Sequence, residues 1–285
     1  MTEVNSDTLG SLQYLESADA VLRQALTWVK RECAGGKGVS NEKLDEHQMA
    51  SFDLAWCAAE STAARFAVEY ARQVAAVAPV ADGSCLEERM ARVFCAEALQ
   101  NIHNRLRARP QSFGLDDSNL APFAATAVSR FCQSQLDAGN LESLGREVIA
   151  RNGASGAYML DDHATMMQDA FRKLATNVVM PLAEEIHRED RIIPPEILDQ
   201  LTEMGCFGLS VPERYGGLQS DDHEDNTGMI VVTDELSRGS LGAAGSLITR
   251  PEILARALLK GGTEEQREKW LPKIASGELI VVPAW

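Results

Sequence analysis

Apolar residues recur at steps of three and four along almost the whole chain, the pattern of amphipathic helices. Leu12, Leu15, Leu22, Leu26 and Val29 form a first stripe, which ends at Gly35-Gly36-Lys37-Gly38. A long second helix is predicted from about Asn41 to Ala78. Phe52, Ala55, Trp56, Ala59, Ala63 and Phe66 form its apolar stripe, and Pro79 and Asp82-Gly83 close it. Ser84 with Glu87 reads as a capping box for a third helix, whose inward side is Met90, Val93, Phe94, Ala98, Ile102 and Leu106. Arg109-Pro110 stops that helix, because a residue before proline is pushed out of the helical region. A fourth helix is predicted near 120–138 and a short fifth from Leu141 to Ala150.

The small, polar stretch Arg151 to Gly156 reads as a linker. After it, Asp161-Asp162 caps a helix carrying Met167, Phe171, Leu174, Val178, Leu182 and Ile186, with Pro181 expected to kink it. Pro194-Pro195 opens the next helix and Gly205 ends it. Phe207 to Tyr215 reads as an irregular crossing closed by Gly216-Gly217. Further helices are predicted at about 226–238, stopped by Gly239, at 241–249, and at 251–260, started by Pro251. Thr263 with Gln266 forms another capping box. Leu279 to Val282 is a continuous apolar run of the kind found in buried strands. The expectation is an all-α chain of about ten helices with no internal strand before that run.

Composition narrows the function classes. Lys plus Arg number 27 against 42 Asp plus Glu, a net charge of −15. Such a balance repels phosphate backbones and argues against nucleic acid as a partner. The longest apolar runs fall short of a membrane span, and the N-terminus has neither the basic start nor the apolar core of a signal peptide, so a cytoplasmic protein is expected. Six widely spaced cysteines (33, 57, 85, 95, 132 and 206) with no paired motif read as reduced structural thiols rather than a disulfide or metal framework. The five histidines are scattered and read as solvated, not as metal ligands. Glu184-Glu185 and Glu264-Glu265 read as a solvated face and a helix start rather than paired acids. No phosphate loop, nucleophile elbow or dinucleotide fingerprint is present.

Four ordered motifs carry more. They are Val178-Val-Met-Pro181, then Gly205-Cys-Phe-Gly208-Leu-Ser-Val-Pro212-Glu213-Arg-Tyr-Gly216-Gly217. Glu235-Leu-Ser-Arg-Gly239 follows, and last comes Gly262-Thr-Glu-Glu-Gln266 through Leu271-Pro272 to Gly277-Glu278. In this order, residues 161–285 resemble the N-terminal helical domain of the acyl-CoA dehydrogenases. The resemblance divides the chain into a helical N-terminal extension (1–152), the family's helical domain (157–278) and the start of its middle β-domain (279–285). That β-domain and a C-terminal bundle would follow Trp285. In the extension, the stretches beginning at Phe52 and Leu86 look like helices of the family's own C-terminal bundle.

The resemblance implies FAD-dependent α,β-dehydrogenation of an acyl-CoA thioester. A glutamate takes the α-proton, and the β-hydrogen leaves as hydride to the flavin. It also implies an electron-transfer flavoprotein as acceptor and a homo-oligomer. The flavin-contacting segment and the base are expected after Trp285, so no catalytic, flavin-binding or metal residue is assigned in this chain, which alone is expected to be inactive. One functional element is expected within it. The helix after Gly239 would line the end of the acyl pocket through Ser240, Ala243, Ala244 and Leu247, which lie three and four apart on one helical face. Plain helix packing explains the same residues. A family branch with a helical N-terminal extension oxidises a short branched dicarboxylic substrate, methylsuccinyl-CoA, to mesaconyl-CoA. From another class, the alternative is a non-catalytic helical interaction protein.

Overall fold

In the computed structural model the described residues are 6–36, 38–77, 84–153, 156, 158–224 and 226–280, and their periodicity is realised in thirteen α-helices. Contacts divide the chain into two units, Met1–Met159 and Leu160–Trp285.

The first unit contains α1 (Ser6–Glu32), α2 (Asn41–Glu46), α3 (Gln48–Val77), α4 (Leu86–Ala108), α5 (Asp117–Ala124), α6 (Thr126–Gln135) and α7 (Ala138–Ala150). The glycine-rich stop after α1 forms a small antiparallel ribbon, β1 (Ala34–Gly35) with β2 (Gly38–Val39), which the helical pattern did not foretell. The core gathers Leu15, Ala25 and Val29 of α1, Cys57 and Ala64 of α3, Leu99, Ile102 and Leu106 of α4, and Phe113.

The stripe expected on the second helix is turned outward. Phe52, Ala55, Trp56, Ala59, Ala63 and Phe66 are all exposed, and Ala50, Leu54, Cys57, Ser61, Ala64, Val68 and Ala71 are buried instead. The helix is apolar nearly all round, so periodicity offered two faces. The small-residue face lets α3 approach α4 closely, and it carries Asp53, which is buried and ion-paired. Arg105 reaches that carboxylate at 2.9 Å and Arg109 at 2.6 Å. An aromatic face turned toward α4 would have stranded the carboxylate on the other side.

Local boundaries also shift. The predicted second helix breaks at His47 into α2 and α3, and the fourth breaks at Ala125, whose backbone is extended, into α5 and α6. The capping residue of α4 is Cys85, not Ser84, and its backbone N–H donates to Glu88 at 3.1 Å. The expected terminators Pro79 and Asp82-Gly83 lie outside the described residues.

The second unit contains α8 (Asp162–Leu174), a π turn (Ala175–Val179), α9 (Met180–Arg188), α10 (Pro195–Glu203), α11 (Thr227–Ser240), a second π turn (Leu241–Gly245), α12 (Ser246–Gly261) and α13 (Glu264–Ala275). Several caps stand where the sequence places them. The Asp161 carboxylate accepts from Ala164 N at 2.7 Å, and Thr263 and Gln266 exchange bonds of 2.9 and 3.3 Å. Three boundaries differ from expectation. Gly239 does not stop α11, which runs on to Ser240. Pro251 starts nothing and lies inside α12. The predicted helix at 241–249 begins instead as a π turn. Leu279 and Ile280 form no strand, and residues 281–285 lie outside those described. Leu279 packs against the cluster of Val211, Tyr215, Leu271 and Ile274, and its N–H donates to Lys273 O at 3.0 Å.

Candidate functional site

The four motifs meet in pairs. The first pair is built around the π turn at Ala175–Val179. Pro181 has no N–H, so the α-helical ladder cannot continue through it. The chain inserts a wide turn just before it, in which Met180 N–H reaches back five residues to Ala175 O. The expected kink at Pro181 is thus a π turn one step upstream. Against that turn lies Gly239 of the Glu-Leu-x-x-Gly motif. A Cβ there would sit 3.1 Å from Val179 Cγ1 and 3.2 Å from the Ala175 side chain, so this glycine marks a close crossing of α11 over the turn.

One turn earlier on α11, Glu235 projects from the apolar face into the core at 1% exposure. Arg172 of α8 donates to it twice, Nε at 3.1 Å and Nη2 at 2.6 Å, and Arg238 Nε stands 3.6 Å away. A fork-shaped, charge-assisted pair of this kind fixes both distance and rotation between two helices. Arg238 also donates to Thr176 at 3.1 Å, bracing the π turn from outside. Reading the sequence singled out Glu235 only as a motif letter and missed Arg172. The available signal was a glutamate in register with the buried Val231, Val232 and Leu236, which demands a cation from elsewhere.

The second pair joins the glycine-rich crossing to α13. Two short 3₁₀ turns lie here, Cys206–Gly208 and Glu213–Tyr215, and a parallel bridge between Pro212 and Gln219 closes the loop around the second. A Cβ on Gly217 would lie 1.9 Å from Val211 O, so no side chain fits there. The Tyr215 hydroxyl donates to Glu264 Oε1 at 2.6 Å at the start of α13. That bond, then Arg267 and Arg214, holds the Glu264 carboxyl below its ordinary value. Glu264 is therefore a fastening of the crossing rather than one of two paired acids.

The expected pocket-lining residues fall at the corner between α11 and α12. Ser240 has extended backbone, and its hydroxyl accepts from Ala243 N at 3.1 Å, so it caps the π turn. Ala243, Ala244 and Leu247 are buried in the domain core, in one cluster with Val179, Val232 and Leu236. Their one-face spacing assumed an α-helix, and the π turn changes the angular step between them.

Beside this corner lies an open groove of about 760 Å³, walled by Met229, Ile230, Thr233 and Asp234 of α11 and by Thr249, Glu252 and Arg256 of α12. Its cation is committed, since Arg256 binds Glu224, Glu252 and Asn226. A flavin dinucleotide needs donors for two phosphates and a slot for a planar ring. Neither this groove nor the apolar one between α1 and α3 presents that set, so neither fits FAD. No group of three or more His, Cys, Asp or Glu suited to a metal occurs among the described residues. No described helix is long and apolar enough to cross a membrane. The six thiols are buried and free, and burial pushes Cys57, Cys95 and Cys206 up to about 12. His103 is not fully solvated. It stacks on Phe123 at 5.1 Å, and burial, then Arg107, lowers its pKa.

Residues 161–278 match the family described as acyl-CoA dehydrogenase, N-terminal domain. The chain is 34% identical over 288 residues to (2S)-methylsuccinyl-CoA dehydrogenase of Cereibacter sphaeroides, covering 96% of this chain and 48% of that protein. It is 33% identical over 119 residues to 3-(aryl)acrylate reductase of Clostridium sporogenes, covering 40% of this chain and 30% of that protein. It is 31% identical over 132 residues to the mitochondrial 2-methylacyl-CoA dehydrogenase of Solanum tuberosum, covering 44% of this chain and 30% of that protein. The chain thus spans about half, or less, of the length of these relatives.

Proposed function

We propose that this chain, a member of the acyl-CoA dehydrogenase family whose N-terminal domain spans residues 161–278, serves in the α,β-dehydrogenation of a short branched acyl-CoA, methylsuccinyl-CoA to mesaconyl-CoA. One observation carries the substrate reading. The match to a methylsuccinyl-CoA dehydrogenase runs over 96% of the chain and so takes in the helical first unit. FAD is the proposed electron acceptor within the protein, supplying hydride chemistry when bound. An electron-transfer flavoprotein is the proposed onward acceptor, the setting is the cytoplasm, and the assembly is a homo-oligomer.

The part assigned to these residues is architectural. The Arg172–Glu235 fork and the close crossing at Gly239 hold α11 against α8 and the first π turn, and this orients the corner at Ser240–Leu247. Ser240, Ala243, Ala244 and Leu247 are proposed to shape the end of the acyl pocket by fixing that corner. The buried Ala243, Ala244 and Leu247 act through their packing.

Turnover of methylsuccinyl-CoA, butyryl-CoA and isobutyryl-CoA by the intact gene product, with electron-transfer flavoprotein as acceptor, tests the reading. Preference for methylsuccinyl-CoA is expected, and preference for either other thioester refutes the substrate. A protein that purifies without flavin, takes none up and turns over no acyl-CoA refutes the enzyme and leaves the helical interaction protein.

A further inference from the structure

One arginine of the second unit has no partner among the described residues. Arg250 stands on the first turn of α12, one turn past Leu247, and is half-buried. Its side chain makes no hydrogen bond, ion pair or ring contact with any described residue. Every other arginine of that unit holds an acidic partner: Arg172 and Arg238 share Glu235, Arg256 binds Glu252, and Arg188, Arg191, Arg214 and Arg267 each pair with a carboxylate nearby. Carboxylates are not scarce, since the chain has 42 acidic residues against 27 basic ones. Glu252, two residues on, is itself held by Arg256 at 2.9 Å. A guanidinium drawn partly out of water without an acceptor raises the free energy of the fold, so the position calls for an anion that the described residues do not supply.

We infer that Arg250 receives the free carboxylate of the acyl group and so selects dicarboxylic thioesters. The inference rests on the proposed dehydrogenation of methylsuccinyl-CoA and deepens it, by naming the residue that reads the charge of the substrate.

Place and chemistry both support it. α12 leaves the corner at Ser240–Leu247 that is proposed to shape the end of the acyl pocket, and Thr249 and Glu252, on either side of Arg250 in sequence, wall the open groove beside that corner. The corner itself cannot recognise a carboxylate. Ala243, Ala244 and Leu247 are apolar and buried, and the Ser240 hydroxyl already accepts from Ala243 N at 3.1 Å. Arg250 is the nearest uncommitted donor along the chain, and its planar fork matches the two oxygens of a carboxylate. Methylsuccinyl thioesters end in such a group, whereas butyryl and isobutyryl thioesters end in methyl groups. The same cation therefore works in both directions. It gains two charge-assisted bonds from a dicarboxylic acyl group, and an apolar chain end would leave it desolvated and unpaired.

The test uses the intact gene product and two variants, Arg250→Met and Arg250→Lys. It measures kcat/KM for methylsuccinyl-CoA, butyryl-CoA and isobutyryl-CoA, and the melting point without substrate. Arg250→Met should lower kcat/KM for methylsuccinyl-CoA about a hundredfold, chiefly through KM, and should leave the other two thioesters unchanged or improved. Its melting point should hold or rise, because an unpaired, half-buried charge is removed. Arg250→Lys keeps the charge and loses the fork, so it should cost about tenfold and retain the preference for methylsuccinyl-CoA.

An unaltered enzyme that prefers methylsuccinyl-CoA, with an Arg250→Met variant that keeps the preference, overturns the inference and leaves the proposed substrate standing. An unaltered enzyme that prefers butyryl-CoA or isobutyryl-CoA overturns both. Equal losses on all three thioesters at an unchanged melting point assign Arg250 to the CoA phosphates that they share. Equal losses with a melting point lowered by several degrees assign it to an acidic side chain of the protein itself. Either result overturns the inference.

Discussion

Replacing Arg172 by Ala tests the joint between α8 and α11 most directly. The variant removes two donors, at 3.1 and 2.6 Å, from a carboxylate that is 1% exposed, and leaves it only Arg238 at 3.6 Å. Two charge-assisted bonds are worth about 1.5–3 kcal/mol each, an upper limit near 6 kcal/mol. Arg172 is itself 43% exposed, so part of that is lost to competing water, and breaking a buried pair typically costs about 3–5 kcal/mol. The expected loss is therefore ~3 kcal/mol.

The reverse change, Glu235→Gln, should cost only about 1–2 kcal/mol. The freed guanidinium can turn to solvent, whereas the buried carboxylate cannot. Adding Glu235→Gln to Arg172→Ala should then recover stability, although each change alone is harmful. The assay is urea unfolding of the full chain with hydrogen exchange read at α8 and α11. At a slope of about 1–3 kcal/mol per molar, the arginine variant should move the midpoint of this unit by about 1–3 M. Equal costs for the two single changes, or a double variant worse than either, would refute the argument.

Three further outcomes follow from the geometry. Gly217→Ala places a Cβ 1.9 Å from Val211 O, a backbone atom that cannot swing aside, and should cost more than ~3 kcal/mol or prevent folding of the second unit, read by thermal melting. Glu264 has its folded pKa depressed by the Tyr215 hydroxyl first and by Arg267. Its stabilising effect is therefore complete above the ordinary value of 4.5 and fades as pH falls through the lower folded value. The melting-point gap between the unaltered chain and Glu264→Gln should be widest at neutral pH and close as pH falls through the lowered folded value, and a gap that widens on acidification counts against the bond. Native protein should resist thiol labelling at Cys57, Cys95 and Cys206, whose pKa values are pushed up to about 12, while all six cysteines react on unfolding. Rapid native labelling of any of these three contradicts their burial.

What was legible in the sequence was what neighbours along the chain decide. Asp161, the Thr263–Gln266 box, the Pro194-Pro195 start and the Gly205 stop are written within one helical turn, because a cap satisfies amides three residues away. The order of the four motifs carried the resemblance to the acyl-CoA dehydrogenase N-terminal domain for the same reason, but it could not say what the motif residues touch. For Ser240 to Leu247, the residues expected to line a pocket, the spacing assumed an α-helix and missed the π turn, since a π turn leaves the same letters in the chain as an α-helix. The pairing of Arg172 with Glu235 spans 63 positions and becomes visible only once α8 and α11 lie side by side. The outward face of α3 is the clearest case. Two apolar stripes run along one Ala-rich helix, and propensity and periodicity score them alike. Only the close approach of α4, with Arg105 and Arg109 closing on Asp53, makes burial of the small-residue stripe the lower free energy and leaves the aromatic one on the surface.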